Sequence, residues 1–198
     1  MTVDQTFVLT GLHYKTDEPI SVKIRDGMIQ AIERIQETHL KSNRTIAPGL
    51  IDLQVNGFAG VDFNLGPDSV HDNLKALQLA TDKLLAHGTT TYCPTIITGS
   101  FEDMLKSMKA IRDACESDAR VNDCIAGIHM EGPYISSEDG PRGAHDLQHV
   151  RDPDWDEFMA LQEASGNRIC LVTLAPERPG AIDMISRLAG AGIKVCIG

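Results

Sequence analysis

The run Gly127-Ile128-His129-Met130-Glu131-Gly132-Pro133-Tyr134 carries the clearest chemistry in the chain. Its apolar residues read as a buried strand, and Glu131 ends it. Gly132-Pro133 then bends the chain away and leaves the carboxylate facing the strand's mouth. An ionised carboxylate there needs a cation or strong donors, because burying a bare charge is expensive. A divalent metal ion supplies that charge. A lysine partner or a helix N-terminus is the plainer alternative.

Farther along, Arg142-Gly143-Ala144-His145 returns a histidine within a glycine-rich, polar loop. His145 there can hydrogen-bond a sugar hydroxyl or a carbonyl, or it is a surface histidine without a role. His129 precedes Glu131 by two positions, so on a strand both point the same way. The reading favoured for His129 is a hydrogen-bonded core residue. Gln54 and Asn56 have the spacing of an HxH metal pair, but amides are much poorer ligands for zinc-like ions. That metal position is therefore expected to be missing, with the two amides free to bind substrate or water. Gly57 to Asp62 is glycine-rich, but no GK[ST] follows, which argues against a phosphate loop. The glycines are expected to let backbone pass close to the site.

The elements that must hold these groups follow from the apolar pattern. Val22-Lys23-Ile24-Arg25 alternates, Asp26-Gly27 signals a turn, and Met28 to Ile32 resumes the strand, which predicts a small antiparallel sheet. Pro48-Gly49 punctuates the chain. Beyond it strands alternate with helices. Leu50 to Asn56 reads as a buried strand, and Thr89 to Cys93 as a strand broken by Pro94. Ile125 to Met130, Ile169 to Leu174 and Lys194 to Ile197 complete the set of five. Helical stripes run through Leu74, Leu77, Leu84 and Leu85, through Met104, Met108, Ile111 and Cys115, and through Ile182, Ile185 and Leu188. A further helix is expected over Trp155 to Ala164.

Such alternation means a parallel sheet covered by helices. An open doubly wound sheet and a (β/α)8 barrel compete for it. The first strand–helix turn lacks GxGxxG, which weakens a dinucleotide site. Polar residues gather at strand C-termini (Gln54 and Asn56, Thr95, Glu131, Thr173 with Glu177), where a barrel places its active site.

Composition sets the outer limits. A chain of 198 residues can bury a proper core in one or two domains. Its net charge of −10 argues against nucleic acid or an anionic membrane as the main partner. A small anion remains possible wherever donors cluster. No signal-peptide pattern and no bilayer-length apolar run is visible. The five cysteines form no CxxC pair, so free thiols in a reducing cytoplasm are expected.

With these residues in view, the chain resembles the amino-sugar-phosphate deacetylases of the amidohydrolase superfamily. The resemblance runs through Ala47-Pro48-Gly49-Leu50-Ile51-Asp52-Leu53-Gln54-Val55-Asn56-Gly57, then Gly88-Thr89-Thr90-Thr91 and Pro94 to Thr98. It continues in Gly127 to Pro133, Gly143-Ala144-His145, Val150-Arg151 and Thr173 to Glu177. The Pro-Gly-x-Ile-Asp start is common to many amidohydrolases. His-x-Glu-Gly-Pro followed by Gly-Ala-His is far more specific.

The resemblance implies an α/β fold, a (β/α)8 TIM-type barrel whose first five strands lie in this chain. It implies that residues 1–47 give N-terminal strands of a small β-sandwich and 48–198 the first part of the barrel. Glu131 is implied as a metal ligand, and Ala144 and His145 as contacts to the amino sugar. One divalent metal ion is implied, zinc or iron, with Gln54 and Asn56 marking the single-metal branch. The implied reaction is hydrolysis of the N-acetyl amide of N-acetylglucosamine 6-phosphate. The implied setting is cytoplasmic, with an amino-sugar phosphate as the small-molecule partner and a homodimer at full length. The family's first ligand histidine directly follows an Ile-Gly on strand five, here Ile197-Gly198. That histidine, the second one, the phosphate contacts and the general acid/base aspartate are expected beyond Gly198. The 198 residues alone are therefore expected to be an inactive N-terminal part.

Two other readings stay open. Another cytosolic amidohydrolase would favour HxH on strand one and a carboxylated lysine on strand four. Gln54, Asn56 and the lack of lysine from Ile169 to Leu174 speak against it. The second is a non-catalytic half-barrel that serves as a binding module.

Overall fold

The computed structural model describes residues 6–40, 44–64 and 70–198. The chain divides into two compact units, Met1–Pro48 and Gly49–Gly198.

The first unit is built on β1 (Thr6–His13), β2 (Pro19–Arg25), β3 (Met28–Arg34) and β4 (Thr45–Ile46). They form one sheet in the order β3-β2-β1-β4. The β2–β3 turn falls at Asp26-Gly27, both at positive φ (49° and 75°). That matches the right-handed twist of the strands it joins. Ile20 and Val22 are buried, whereas Ile29 and Ile32 on β3 remain exposed. The four strands make a single layer; a second layer of a sandwich does not occur among the described residues.

The second unit begins with β5 (Leu50–Val55) and the short hairpin β6 (Gly57–Phe58) and β7 (Val61–Asp62). Then come α1 (Val70–Ala86), β8 (Thr89–Ile97), α2 (Phe101–Ser117), α3 (Ala119–Cys124) and β9 (Ile128–Glu131). The chain continues with α4 (Trp155–Ala164), β10 (Ile169–Leu174), α5 (Ala181–Gly190) and β11 (Lys194–Ile197). The five long strands make one sheet in the order β11-β10-β9-β8-β5, and every pairing is parallel.

Spatial order follows chain order without a reversal. A doubly wound sheet reverses direction at a switch point, and a barrel does not. The sheet is therefore a half-barrel, as the polar strand ends predict.

One face of the sheet makes the core. Tyr92, Ile96, Ile128, Met130, Val172 and Leu174 are buried there with the helical stripes. Met104, Met108 and Ile111 of α2 are at most 1% exposed. Each such side chain contributes about 2 kcal/mol on leaving water. Ser100 caps α2 by accepting from Asp103 N at 3.1 Å. Asp154 caps α4 from Asp156 N and Glu157 N. The alternate residues of the strands, including His129 and Glu131, face the other side.

Three sequence expectations are corrected here. β5 is exposed at every position but Val55, because among the described residues it is an edge strand with β8 as its one partner. β8 runs through Pro94 to Ile97. The proline pairs with Val55 where the register shifts, so its missing N–H falls at an irregularity in the ladder. On α5 the buried positions are Ala181, Met184 and Leu188, and Ile182 is 68% exposed. The helix turns Ile182 about 100° away from Ala181, off the covered stripe.

Candidate active site

Glu131 ends β9, as expected, and the chain turns away at Gly132 with φ 82°. Only glycine fits that turn. A Cβ at position 132 would lie 2.1 Å from Thr98 Oγ1. The carboxylate does not stand alone. Gln54 Nε2 donates to its Oε1 at 2.9 Å, and Asn56 Nδ2 donates to its Oε2 at 3.3 Å. The two amides that sequence spacing placed on one strand face thus meet the glutamate. They fix its plane and leave further lone pairs open.

The loop after β9 brings the histidine back. Pro141, Arg142, Gly143, Ala144 and His145 line a cleft of about 410 Å³ together with Gln54, Asn56 and Glu131. Ala144 and His145 therefore share one cavity with Glu131. His145 Nδ1 is 2.7 Å from Thr98 Oγ1, just past the end of β8.

Arg151 pins the far end of this loop. Its Nε donates to both oxygens of Glu157, at 3.1 and 2.9 Å. Its Nη1 donates to Gly99 O and His149 O, at 2.9 and 2.7 Å. Tyr134 OH also donates to Glu157 Oε1, at 3.1 Å. Loop, α4 and the segment just past β8 are tied by one partly buried network. The sequence reading assigned neither Arg151 nor Thr98 a role.

His129 lies beneath Glu131, 2% exposed. Its Nε2 is 2.7 Å from Thr173 Oγ1 and its Nδ1 3.4 Å from Thr95 Oγ1. Burial pushes its pKa down, against smaller opposing effects of the Glu131 charge and the Leu53 backbone. A neutral ring held between two hydroxyls matches the core reading. Gly57 to Asp62 forms the β6–β7 hairpin, whose Gly57 packs so close that a Cβ would lie 2.4 Å from Val61 O.

As a metal centre the described residues are incomplete. Catalytic zinc sites use three protein ligands. Among the described residues no group of three His, Cys, Asp or Glu side chains comes together. Glu131 with two amides supplies one strong ligand of the three that such a site uses. The five cysteines are free. Among the described residues no helix is long and apolar enough to cross a membrane.

The family model described as "Amidohydrolase family" matches residues 45–191, which takes in β5 to α5 and every residue of the cleft except Gly198. The chain belongs to the amidohydrolase family. Amidohydrolases are generally metal-dependent. Among curated relatives, the N-acetylglucosamine-6-phosphate deacetylase of Mus musculus is 36% identical over 157 residues, 78% of this chain and 37% of its own length. That of Bacillus subtilis is 28% identical over 186 residues, 89% of this chain and 45% of its own length. Among solved structures, the Mycobacterium smegmatis deacetylase in complex with N-acetyl-D-glucosamine-6-phosphate superposes with a TM-score of 0.79 at 28% identity. The match covers 98% of this chain and 50% of that one. The Pasteurella multocida enzyme gives 0.75 at 27% identity, covering 97% and 51%. This amidohydrolase chain thus spans between about a third and a half of the length of these relatives.

Proposed function

We propose that this chain is the N-terminal part of a deacetylase that hydrolyses the N-acetyl amide of N-acetylglucosamine 6-phosphate to glucosamine 6-phosphate and acetate. The observation that carries the reading is the shared cleft of Glu131, Ala144 and His145, on a chain whose relatives bear that activity. Residues 1–47 contribute one layer of a small sandwich, and 48–198 the first part of the barrel. Glu131, oriented by Gln54 and Asn56, is one ligand of a single divalent ion, zinc or iron. When bound, that ion supplies electrophilic activation of water and of the amide. Ala144 and His145 contact the amino sugar. The substrate is an anionic small molecule, and the net charge of −10 makes nucleic acid and anionic membranes poor partners. The same reading makes the longer protein a cytoplasmic homodimer.

The 198 residues alone are proposed to be inactive, supported by Glu131 being the one carboxylate side chain that lines the cleft among the described residues. The test is acetate release from N-acetylglucosamine 6-phosphate by the gene's longer product beside this chain, with and without chelator. The expected result is chelator-sensitive turnover in the longer product only. Glu131→Gln in that product should lower the rate by about 100-fold or more, the order of losing a group that supports developing charge. Turnover by the 198-residue chain would refute its incompleteness. Silence of a folded, metal-supplied longer product would refute the deacetylase reading.

A further inference from the structure

Thr98 is 6% exposed, and its Oγ1 meets His145 Nδ1 at 2.7 Å. A threonine hydroxyl has one proton to give. Among the described residues Thr98 Oγ1 has no other hydrogen-bond partner. If the imidazole donated from Nδ1, the hydroxyl proton would be buried without an acceptor, which folded proteins avoid. The arrangement that satisfies both groups has Thr98 donating and Nδ1 accepting. Nδ1 is then unprotonated, and the neutral ring carries its proton on Nε2.

The placement of the two residues says where that proton points. His145 lines the cleft, and Thr98 does not. Thr98 holds the ring at Nδ1, which leaves Nε2 as the nitrogen free to serve the cleft that His145 lines. Nε2 has no hydrogen-bond partner among the described residues. Gly132 leaves the room for this. A Cβ at 132 would lie 2.1 Å from the Thr98 hydroxyl and 3.4 Å from Thr98 Cβ.

We propose that Thr98 is a positioning residue that fixes His145 as the Nε2–H tautomer, so that the imidazole presents a donor to an oxygen atom in the cleft. An amide carbonyl or a sugar hydroxyl is the kind of oxygen it serves. The use of that donor rests on the reading that His145 faces substrate; the tautomer itself does not.

The test is a long-range proton–nitrogen correlation spectrum of the 198-residue chain labelled with ¹⁵N-histidine. It is recorded above about pH 8, where imidazole is neutral, and the His145 signals are assigned by their loss in His145→Gln. The expected wild-type ring is protonated at Nε2 alone, and Thr98→Ser keeps that pattern. Thr98→Val should move the tautomer ratio towards that of free imidazole by about fivefold, the factor one net hydrogen bond confers. Unshifted His129 signals show that the valine variant is folded. An Nδ1–H ring in the wild type overturns the proposal, as does an unchanged ratio in folded Thr98→Val. If the valine variant does not fold, the wild-type and serine spectra decide. Absence of deacetylation in the longer product would leave these spectra unchanged, so the two readings fail separately.

Discussion

Gln54 Nε2 donates to Glu131 Oε1 at 2.9 Å, reaching from β5 past the intervening β8 to β9. An amide donor is what this geometry needs, because a second carboxylate would face the first at hydrogen-bond distance. Gln54→Glu should therefore destabilise the chain at pH 7 by about 1 kcal/mol, a modest figure because position 54 is exposed. Added divalent cation should restore the loss by binding between the two carboxylates. Thermal denaturation with and without manganese measures both effects. Equal melting temperatures for wild type and variant at pH 7 would show that the amide has no electrostatic role.

Gly132 answers to two constraints at once, a φ of 82° and the Thr98 hydroxyl against its α-carbon. Gly132→Ala should cost about 2–4 kcal/mol through left-handed strain and displacement of Thr98. Urea denaturation gives the number. Gly140 also has positive φ but nothing within 4 Å of its ideal Cβ, so Gly140→Ala should cost only about 1 kcal/mol.

The Arg151–Glu157 pair is partly buried, with side chains 27% and 16% exposed. Removing one partner leaves the other charge poorly solvated. Arg151→Met should destabilise by about 2 kcal/mol, below the cost for a fully buried pair. It should also expose the loop between Pro133 and Asp154 to protease before the rest of the unit opens. Cleavage that begins elsewhere in the variant would count against Arg151 as the loop's anchor.

Tyr92 is buried against Thr81 Oγ1 at 2.9 Å, and burial is the main cause that pushes its phenol up to about 12. The folded state therefore holds the proton more tightly than the unfolded state, whose phenol titrates near 10. The stability from this effect is full below pH 10 and is lost as pH rises towards 12. Tyr134 shifts in the same direction, chiefly through burial. Tyr92→Phe should reduce the slope of stability against pH above 10 without removing it. Denaturation midpoints from pH 8 to 11 would show this, and an identical slope in the variant would contradict it.

The sequence made some of this site legible and hid the rest for physical reasons. An apolar run stopped by Gly-Pro marked Glu131 at a strand end, because strand periodicity and turn chemistry are local. The spacing of Gln54 and Asn56 placed both amides on one face for the same reason. Their partner was not legible, since Glu131 lies 77 positions from Gln54 and no local rule encodes that separation. Thr98 was missed likewise. It meets His145 across 47 positions, and a threonine after a β-branched strand looks like more of the strand. The exposure of β5 was misread because an apolar run tells that a segment can be buried, not that neighbours cover it. The barrel-like order of the strands was recoverable only as one of two options until their pairing was seen.

That order has a consequence in time. Each of β8, β9, β10 and β11 pairs with the long strand made just before it, and none is inserted between two strands already joined. Such a sheet can grow by accretion as the ribosome delivers the chain, each new strand–helix unit docking on the edge left by the last. Gln54 and Asn56 are synthesised first and wait for their carboxylate. Glu131 meets them once β9 has been added, and His145 follows with the loop. The strand order thus lets the cleft assemble in the direction of translation.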